Sequence, residues 1–412
     1  MAKHVFRNTL YTNDNLYVLS GLNSGLVDLI YLDPPFNTKR MYSAPVGTQA
    51  AGASFKDMWT WKDVDEYYLD SLADNFPALA RYIASVGEVH SKPMMAYLTY
   101  MAQRIIEMYR ILKETGSIYL HCDPTASHYL KSLLDNIFGK NNFRNEIIWS
   151  YHRWTSISTA FQRTHDTILF YAKNKNNIEF NVQTEPYSKQ SRHKAKRFTK
   201  INGGKLIQNY TEDNAREKSM RDVWDISILN SMSKERTGYP TQKPLALLKR
   251  IILASSNEGD IVMDPFCGCA TTCVAAQQLG RKWIGIDIEK QPVKILIERL
   301  SNDAGLFRDF VATDQVPKRS DLKIVLPSPA VKEQLYKEQK GKCNACGEDF
   351  KMWNLEIDHI IPVAKGGGDY YENYQLLCGS CNRIKGDRPM EYLRLKIETR
   401  ERMMKTKVFF GE

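Results

Sequence analysis

Leu26-Val27-Asp28-Leu29-Ile30-Tyr31-Leu32-Asp33-Pro34-Pro35-Phe36 is the stretch whose reading decides the fold. Its first seven residues are mostly apolar, the pattern of a strand buried on both faces of a parallel sheet. Pro34 and Pro35 end the strand, because neither carries an N–H to donate to a ladder and each holds the residue before it extended. The chain must leave the sheet at the strand's carboxyl end, where open α/β sheets bind ligands. There it offers a carboxylate, a proline-fixed carbonyl and an aromatic ring. Two hydrogen-bond acceptors and a stacking face suit the amino nitrogen of a flat base turned out of a duplex.

Outward from this strand, helix and strand patterns alternate. Residues 5–38 read as a short helix and turn leading into the strand, and 41–92 as a polar-aromatic insertion containing Trp59-Thr60-Trp61 and a helical pattern through Tyr67 and Leu79. Met94, Leu98, Met101, Ile105, Met108 and Leu112 recur at spacings of three and four, which predicts a helix over 94–113. Gly116-Ser117 breaks it. A strand Ile118–Cys122, a helix Ala126–Ile137 and strands Glu146–Tyr151 and Asp166–Tyr171 follow. After a basic stretch come a helix Leu245–Ser255, a strand Asp260–Met263, a helix through Ala276 and Leu279, and a strand Trp283–Ile286 ending at Asp287. This alternation predicts an α/β fold with a doubly wound, Rossmann-like sheet over residues 1–311. Pro317, Pro327 and Pro329 mark 312–330 as a linker, 331–392 holds a compact cysteine-bearing module, and 393–412 reads as a charged helical tail.

At 412 residues the chain has room for two or three domains. No apolar run approaches the roughly 20 residues that span a bilayer, which excludes a membrane partner on this reading. Met1-Ala2-Lys3-His4-Val5 lacks a signal peptide's apolar segment, so a cytoplasmic protein is expected. The net charge of +10 favours a polyanionic partner. Between Lys189 and Arg221, basic residues including Arg192, Lys194, Lys196, Arg197, Lys200, Lys205, Arg216 and Lys218 are interleaved with Phe198 and Tyr210, next to Tyr187. A solvated loop has this composition; so does a surface that contacts DNA backbone and bases.

Ile261 to Asp287 reads as strand, glycine-containing turn, helix, strand, acid, the nucleotide-binding logic of a βαβ unit. Gly268 allows close backbone approach, and Asp287 can accept from ribose hydroxyls. Ala270 stands where a second glycine is expected. No Gly-Lys-Ser/Thr phosphate loop is present, which excludes nucleoside triphosphate binding here.

Taken with Asp33-Pro34-Pro35-Phe36, this unit resembles amino-methylating DNA methyltransferases that use S-adenosylmethionine. The order is Asp-Pro-Pro-Phe, a basic variable region, Thr241-Gln242-Lys243-Pro244, then Asp264-Pro265-Phe266-Cys267-Gly268. That permuted order is the one of the family's β group. Phe55–Trp61 and Ser117–Thr125 extend the resemblance over about residues 5–300, with a target-recognition region at about 172–240. The resemblance implies that Asp33 and the Pro34 carbonyl accept from the target amine, that Pro35 stiffens the loop and that Phe36 stacks on the flipped base. It implies further that Asp264, Phe266, Gly268 and Thr271 line the methionine end of the cofactor. Asp287 would hold the ribose, Lys243 would lie near the cofactor carboxylate and Asp14 near the adenine. Adenine N6 is the favoured acceptor; cytosine N4 offers the same two hydrogens and stays open. Double-stranded DNA is the expected partner, with a homodimer as an open possibility. At Ala270 a tighter turn with retained cofactor binding is expected.

Four of the eight cysteines, Cys343, Cys346, Cys378 and Cys381, form two Cys-x-x-Cys pairs. In a cytosolic chain these favour a closed zinc site over disulfides. A structural zinc ribbon would need nothing more. Between and after the pairs, however, lie Asp358-His359, Gly366-Gly367-Gly368, Asn373 and Asn382. Together these resemble the zinc-bound HNH nucleases, a ββα-metal fold, over about residues 340–390. The resemblance implies His359 as the base for water, Asp358 and Asn382 as oxygen ligands for Mg²⁺ or Mn²⁺, and Asn373 as a brace. The chain thus reads as a DNA amino-methyltransferase with an HNH endonuclease, as in restriction-modification. The rivals are a cytosine-N4 methyltransferase whose zinc module only binds DNA, and a zinc-dependent regulator, which leaves Asp33 unexplained.

Overall fold

A computed structural model describes residues 8–36, 40–45, 47–51, 54–57, 72–73, 76–153, 159–186, 200–202, 205–207, 217–230, 232–304, 310–363, 367–388, 390, 392–394 and 396–397. Trp59-Thr60-Trp61, Tyr67, most of the basic run (Lys189 through Arg197, and Arg216), its aromatics Tyr187, Phe198 and Tyr210, Gly366 and the tail beyond residue 397 lie outside the described residues.

The main sheet has nine strands. They are β1 (Asn8–Thr12), β2 (Val27–Leu32), β3 (Leu112–Cys122), β4 (Phe143–Ser150), β5 (His165–Ala172), β6 (Val223–Asp225), β7 (Ile261–Asp264), β8 (Lys282–Asp287) and β9 (Phe310–Thr313). Their order is β6-β4-β5-β3-β2-β7-β8-β1-β9. Every neighbouring pair is parallel except the two that involve β5. The expected doubly wound α/β sheet is therefore what forms.

The central strand shows why. All six residues of β2 are buried. Val27, Ile30 and Leu32 enter one apolar core, with the helices Pro77–Val89 and Lys92–Ile111 (α2 and α3). Leu29 and Tyr31 enter the other, with Leu245–Ala254 and Thr271–Gln278 (α5 and α6). From Leu29 to Leu32 alternate side chains thus serve opposite faces, with Val27 set out of phase by an irregularity between Val27 and Leu29, and each fully buried aliphatic one contributes about 1.5–3 kcal/mol. Asp28, the polar residue in this run, is offset by an ion pair with Lys113 at 2.8 Å and by the Ile261 N–H at 2.9 Å.

Three details differ from the sequence reading. The first described element is strand β1, before the helix Asn15–Gly21 (α1), where helix and turn alone were expected. β1 is too short for its alternation to register, and its place between β8 and β9 is a long-range pairing. Gly116-Ser117 does not break a helix: α3 stops at Ile111 and β3 already runs through both residues. The expected helix Ala126–Ile137 is α4 (Ser127–Leu134), which widens into a π turn at Asp135–Gly139.

Residues beyond β9 cross both modules. Asn13 donates to the Asp314 carbonyl at 2.8 Å, and a Cβ on Gly21 would overlap the Pro317 carbonyl. Arg319 and Asp321 pair at 2.8 Å, and Asp321 also accepts the Ser24 N–H at 2.9 Å. These partners, the Arg319 hydrogen bond first, hold the Asp321 carboxyl well below its usual range. Four residues later, the Val325 N–H donates to the Asp369 carbonyl at 2.9 Å.

The second module holds Pro329–Glu338 (α7), an antiparallel pair β10 (Leu355–His359) and β11 (Tyr374–Cys378), and Gly379–Lys385 (α8). Its own small core centres on Leu355, Leu376, Leu377 and Leu393. No described helix is long and apolar enough to cross a membrane.

Candidate active sites

Strands β2 and β7 lie side by side, with Leu29 opposite Val262 and Ile30 opposite Met263. The chain leaves β2 toward β3 on one side and β7 toward β8 on the other. Their carboxyl ends therefore flank the topological switch point, where a crevice opens. A cavity of about 360 Å³ lies there, within the range of small-ligand sites. Asp14, Asp33, Pro34, Pro35, Phe36, Lys243, Asp264, Phe266, Gly268, Thr271 and Asp287 all line it. Residues from both ends of the sequence thus share one wall.

Asp33 is divided between two environments. Its Oδ2 accepts from Lys243 Nζ at 2.6 Å, and that ammonium also sits 5.4 Å from the centre of the Phe36 ring. Its Oδ1 is buried and has no hydrogen-bond partner among the described residues. Lys243 reaches this position because Thr241 adopts a left-handed φ of 62°, an outlier for a β-branched residue. Gln242 anchors the bend by donating to the Glu235 carbonyl at 2.6 Å and accepting from the Thr237 N–H at 2.8 Å.

His121 backs the same carboxylate, and sequence reasoning gave it no role. It is 0 % exposed on β3, with Nδ1 4.0 Å from Asp33 Oδ1 and 2.9 Å from the Tyr31 hydroxyl. Its Nε2 lies 3.1 Å from Asp166 on β5, and Asp166 also accepts from Tyr151 at 3.1 Å. Burial alone would raise the Asp166 carboxyl; the His121 hydrogen bond and the charges of His121 and Lys243 outweigh it and hold it low. The available signal was a lone histidine in the otherwise apolar run Ile118–Cys122.

The turn after β7 is built by its own acids. Asp264 accepts from the Phe266 N–H at 3.1 Å and the Thr272 hydroxyl at 2.5 Å, and burial pushes its carboxyl up to about 7. Asp287 accepts the Gly268 N–H at 2.9 Å, and burial pushes it up to about 6. Gly268 has φ 50°, and a Cβ there would stand 3.0 Å from the Tyr239 ring across the cavity. Its bareness leaves room for a ligand against the backbone. Ala270 takes the left-handed conformation as N-cap of α6, at a cost of about 1–2 kcal/mol. Thr271 is held from behind by Arg299 at 3.0 Å.

Asp14 lines the cavity while capping α1 through the Leu16 N–H at 2.8 Å and pairing with Arg104 at 3.0 Å. Arg104 also donates to Asn15 at 2.6 Å, and Asn15 to the Pro265 carbonyl at 2.8 Å, so one buried cation ties the first helix to the turn.

In the second module the sulfurs of Cys343, Cys346, Cys378 and Cys381 all lie within 4.8 Å of one another. A tetrahedral zinc thiolate site needs sulfurs about 3.8 Å apart, so this donor set fits that ion. Burial would raise the Cys343 thiol, but backbone N–H groups of Cys346, Cys378 and Ala345 lower it. At the end of the hairpin away from Cys378, which pairs with Leu355, β10 and β11 place Asp358 opposite Gln375 and His359 opposite Tyr374. His359 Nε2 meets Asp369 at 2.9 Å, and Tyr374 donates to the same oxygen at 3.1 Å. Sequence reading did not single out Asp369. Asn373 bonds both the N–H and the carbonyl of Ile361, and the carbonyl of Gly368, closing the loop after His359. Asp358 accepts from Gln375 at 2.8 Å and pairs with the buried Lys385 at 3.0 Å, and Asn382 donates to Glu356 at 2.5 Å.

A family model described as DNA methylase matches residues 27–298, and one described as HNH endonuclease matches residues 343–388. The chain is 28% identical over 310 residues to the type II methyltransferase M.HpaI of Haemophilus parainfluenzae, covering 75% of this chain and 78% of the relative. It is 27% identical over 334 residues to the DNA adenine methyltransferase YhdJ of Escherichia coli K12, covering 77% and 93%. A solved structure of the cytosine-N4-specific PvuII DNA methyltransferase aligns over 74% of this chain and 95% of that one, at 12% identity and a TM-score of 0.45. The chain belongs to the N6/N4 DNA methylase family and carries an HNH endonuclease domain at its C-terminal side.

Proposed function

We propose that residues 1–311 methylate the exocyclic amine of a base flipped out of double-stranded DNA, adenine N6 in preference to cytosine N4, with S-adenosylmethionine as methyl donor. One observation carries the reading: the Oδ1 of Asp33, buried and without a partner among the described residues, lines one cavity with the Phe36 ring. An unsatisfied buried acceptor costs about 1–3 kcal/mol, and an incoming N–H would relieve it. Lys243 fixes the other oxygen, so the free one is held in place for the amine. The Pro34 carbonyl would take the second hydrogen and Phe36 would stack on the base. The bound cofactor would supply a sulfonium methyl group. Gly268, Phe266 and Thr271 would cradle its methionine end, Asp287 its ribose, and Asp14 its adenine. Lys243 as placed serves Asp33, and its reach to the cofactor carboxylate is part of this proposal. Orientation of the two reactants would provide most of the rate.

In the same reading the module over 331–392 cuts DNA phosphodiesters. Asp369 would orient His359 so that its other nitrogen accepts a proton from water. Zinc on the four cysteines would hold the module together. Asp358 and Asn382 are oxygen donors suited to Mg²⁺ or Mn²⁺, which would supply charge at the leaving oxygen. A cytoplasmic setting in a cell that uses restriction-modification fits both activities, and a homodimer would suit a symmetric site.

Transfer of labelled methyl groups to DNA, followed by nucleoside analysis, tests the first activity; failure to label any duplex overturns it. Incubating unmethylated plasmid with Mg²⁺ or Mn²⁺ tests the second. A second reading, a zinc module that only binds DNA, is favoured by the Lys385 ammonium resting on Asp358. Intact plasmid under every metal condition, with DNA affinity retained in His359→Ala, would select it.

A further inference from the structure

We propose that His121 relays the proton that the methylated amine must lose, taking it from Asp33 and holding it against Asp166. The inference rests on the methyl-transfer reading of the cavity. When the amine lone pair forms the new N–C bond, the S–C bond breaks and its electrons stay on sulfur. The positive charge then lies on nitrogen, which sheds one N–H proton and keeps the bonding pair. Asp33 Oδ1 is the acceptor facing it. Lys243 occupies Oδ2 at 2.6 Å, so the proton taken up at Oδ1 has to leave from the Oδ1 side.

The group behind Oδ1 is built to receive that proton. Asp166 accepts from His121 Nε2, which fixes the tautomer with its hydrogen on that side and leaves the Nδ1 lone pair toward Asp33 and the Tyr31 hydroxyl. Burial, first among several causes, raises Tyr31 well above its ordinary value, so its hydroxyl keeps its own proton; it hydrogen-bonds Nδ1 at rest and turns that hydrogen away as Asp33 approaches, which frees the single Nδ1 lone pair. The gap from Nδ1 to Oδ1 is 4.0 Å, and a shift of about 1 Å on closure around a base makes it a hydrogen bond. The imidazolium formed would face the Asp166 carboxylate, itself braced by Tyr151 near the outer end of β4. From there the proton leaves to water as product departs. Around His121 the charged and titratable groups are Asp33 and Tyr31 from β2 and its end, Asp166 from β5, Lys243 from the Thr241 bend, and Tyr151 beyond Asp166. His121 does not touch the base; it acts through Asp33.

The test uses the full chain, S-adenosylmethionine and a methylatable duplex under single-turnover conditions, with His121→Gln and Asp166→Asn. Both variants should bind cofactor and duplex as the parent does. His121→Gln should methylate about 10- to 100-fold more slowly, lose the acidic limb of the parent's rate–pH profile and change the solvent isotope effect. Asp166→Asn, which keeps the side-chain shape, should fall between the two. Rates within twofold of the parent with the same pH profile overturn the relay. A loss confined to thermal stability or affinity, with the profile retained, also overturns it by leaving His121 a packing role. If His121→Gln does not fold, Asp166→Asn decides alone by the same readings. A parent chain that methylates nothing would instead sink the proposed function.

Discussion

The molecule uses a histidine–aspartate pair twice, in opposite surroundings. His121, 0 % exposed inside the sheet, pairs with Asp166 at 17 % and faces the cavity through Asp33. His359 with Asp369 sits on a small hairpin at 24 % side-chain exposure. The buried pair addresses a reactant that must be brought in and desolvated. The outer pair can meet a phosphodiester on the surface of an intact duplex. Their supports differ as well. The first is positioned by a nine-stranded sheet between two apolar cores. The second rests on a short core in which Cys343, Cys378 and Cys381 are themselves packed, so metal and fold are one problem.

The largest expected effect separates the two supports. Chelation, or Cys378→Ser, should unfold the second module, since structural zinc contributes on the order of 10 kcal/mol or more. Plasmid cutting should vanish while labelled methyl transfer continues. Equal loss of both activities would show that the two modules do not stand independently. Asp33→Ala should lower methyl transfer by about 10²–10³-fold or more, because it removes the aligned acceptor, and should leave zinc content untouched. His359→Ala should reduce cutting by about 10²–10⁴-fold, the usual worth of a positioned base, with methylation unchanged; unaltered cutting would remove His359 from the chemistry.

The next effect is one of pH. Asp264 and Asp287 are raised by burial to about 7 and about 6, so the folded methylase module holds their protons more tightly than the unfolded chain does. Their contribution to stability is full below about pH 4 and is lost as pH rises through 6 and 7. Denaturant melts at pH 5 and pH 8 should show the parent losing more stability than Asp264→Asn, by on the order of 1 kcal/mol or more. Equal losses would mean that the acid is solvated. The smallest effect tests the turn itself. Ala270→Gly should raise stability by up to about 1 kcal/mol, relief of the left-handed strain being partly offset by a freer unfolded chain. The two results bear on the first support alone, and the second module's melting should not move.

Much of both sites was legible because the residues act through local chemistry. A strand ending in two prolines can only deliver Asp33 and Phe36 at its carboxyl end. Two Cys-x-x-Cys pairs can only be read as a framework, and Asn373 after the glycine run reads as a brace; its side chain does close that loop. Lys243 was expected near a cofactor carboxylate, and the structure pairs it with Asp33. What stayed hidden are partners chosen across distance: Asp166 lies 45 residues from His121 in sequence, and Lys243 lies 210 from Asp33. Strand β1 escaped for the same reason, since five residues carry too little period and its neighbours come from the far end of the domain.

The sequence by itself determined the chemistry on offer: which acids, rings, thiols and glycines exist, and in what order the chain presents them. It also determined the α/β class, because the period of burial is written residue by residue. Only the tertiary structure decided which of those groups meet. It set β2 against β7, gave one oxygen of Asp33 to Lys243 and left the other bare, and placed His121 behind it. The physical reason is that strand order, unlike strand pattern, follows from how two whole faces of a sheet are covered at once, and no single segment carries that information.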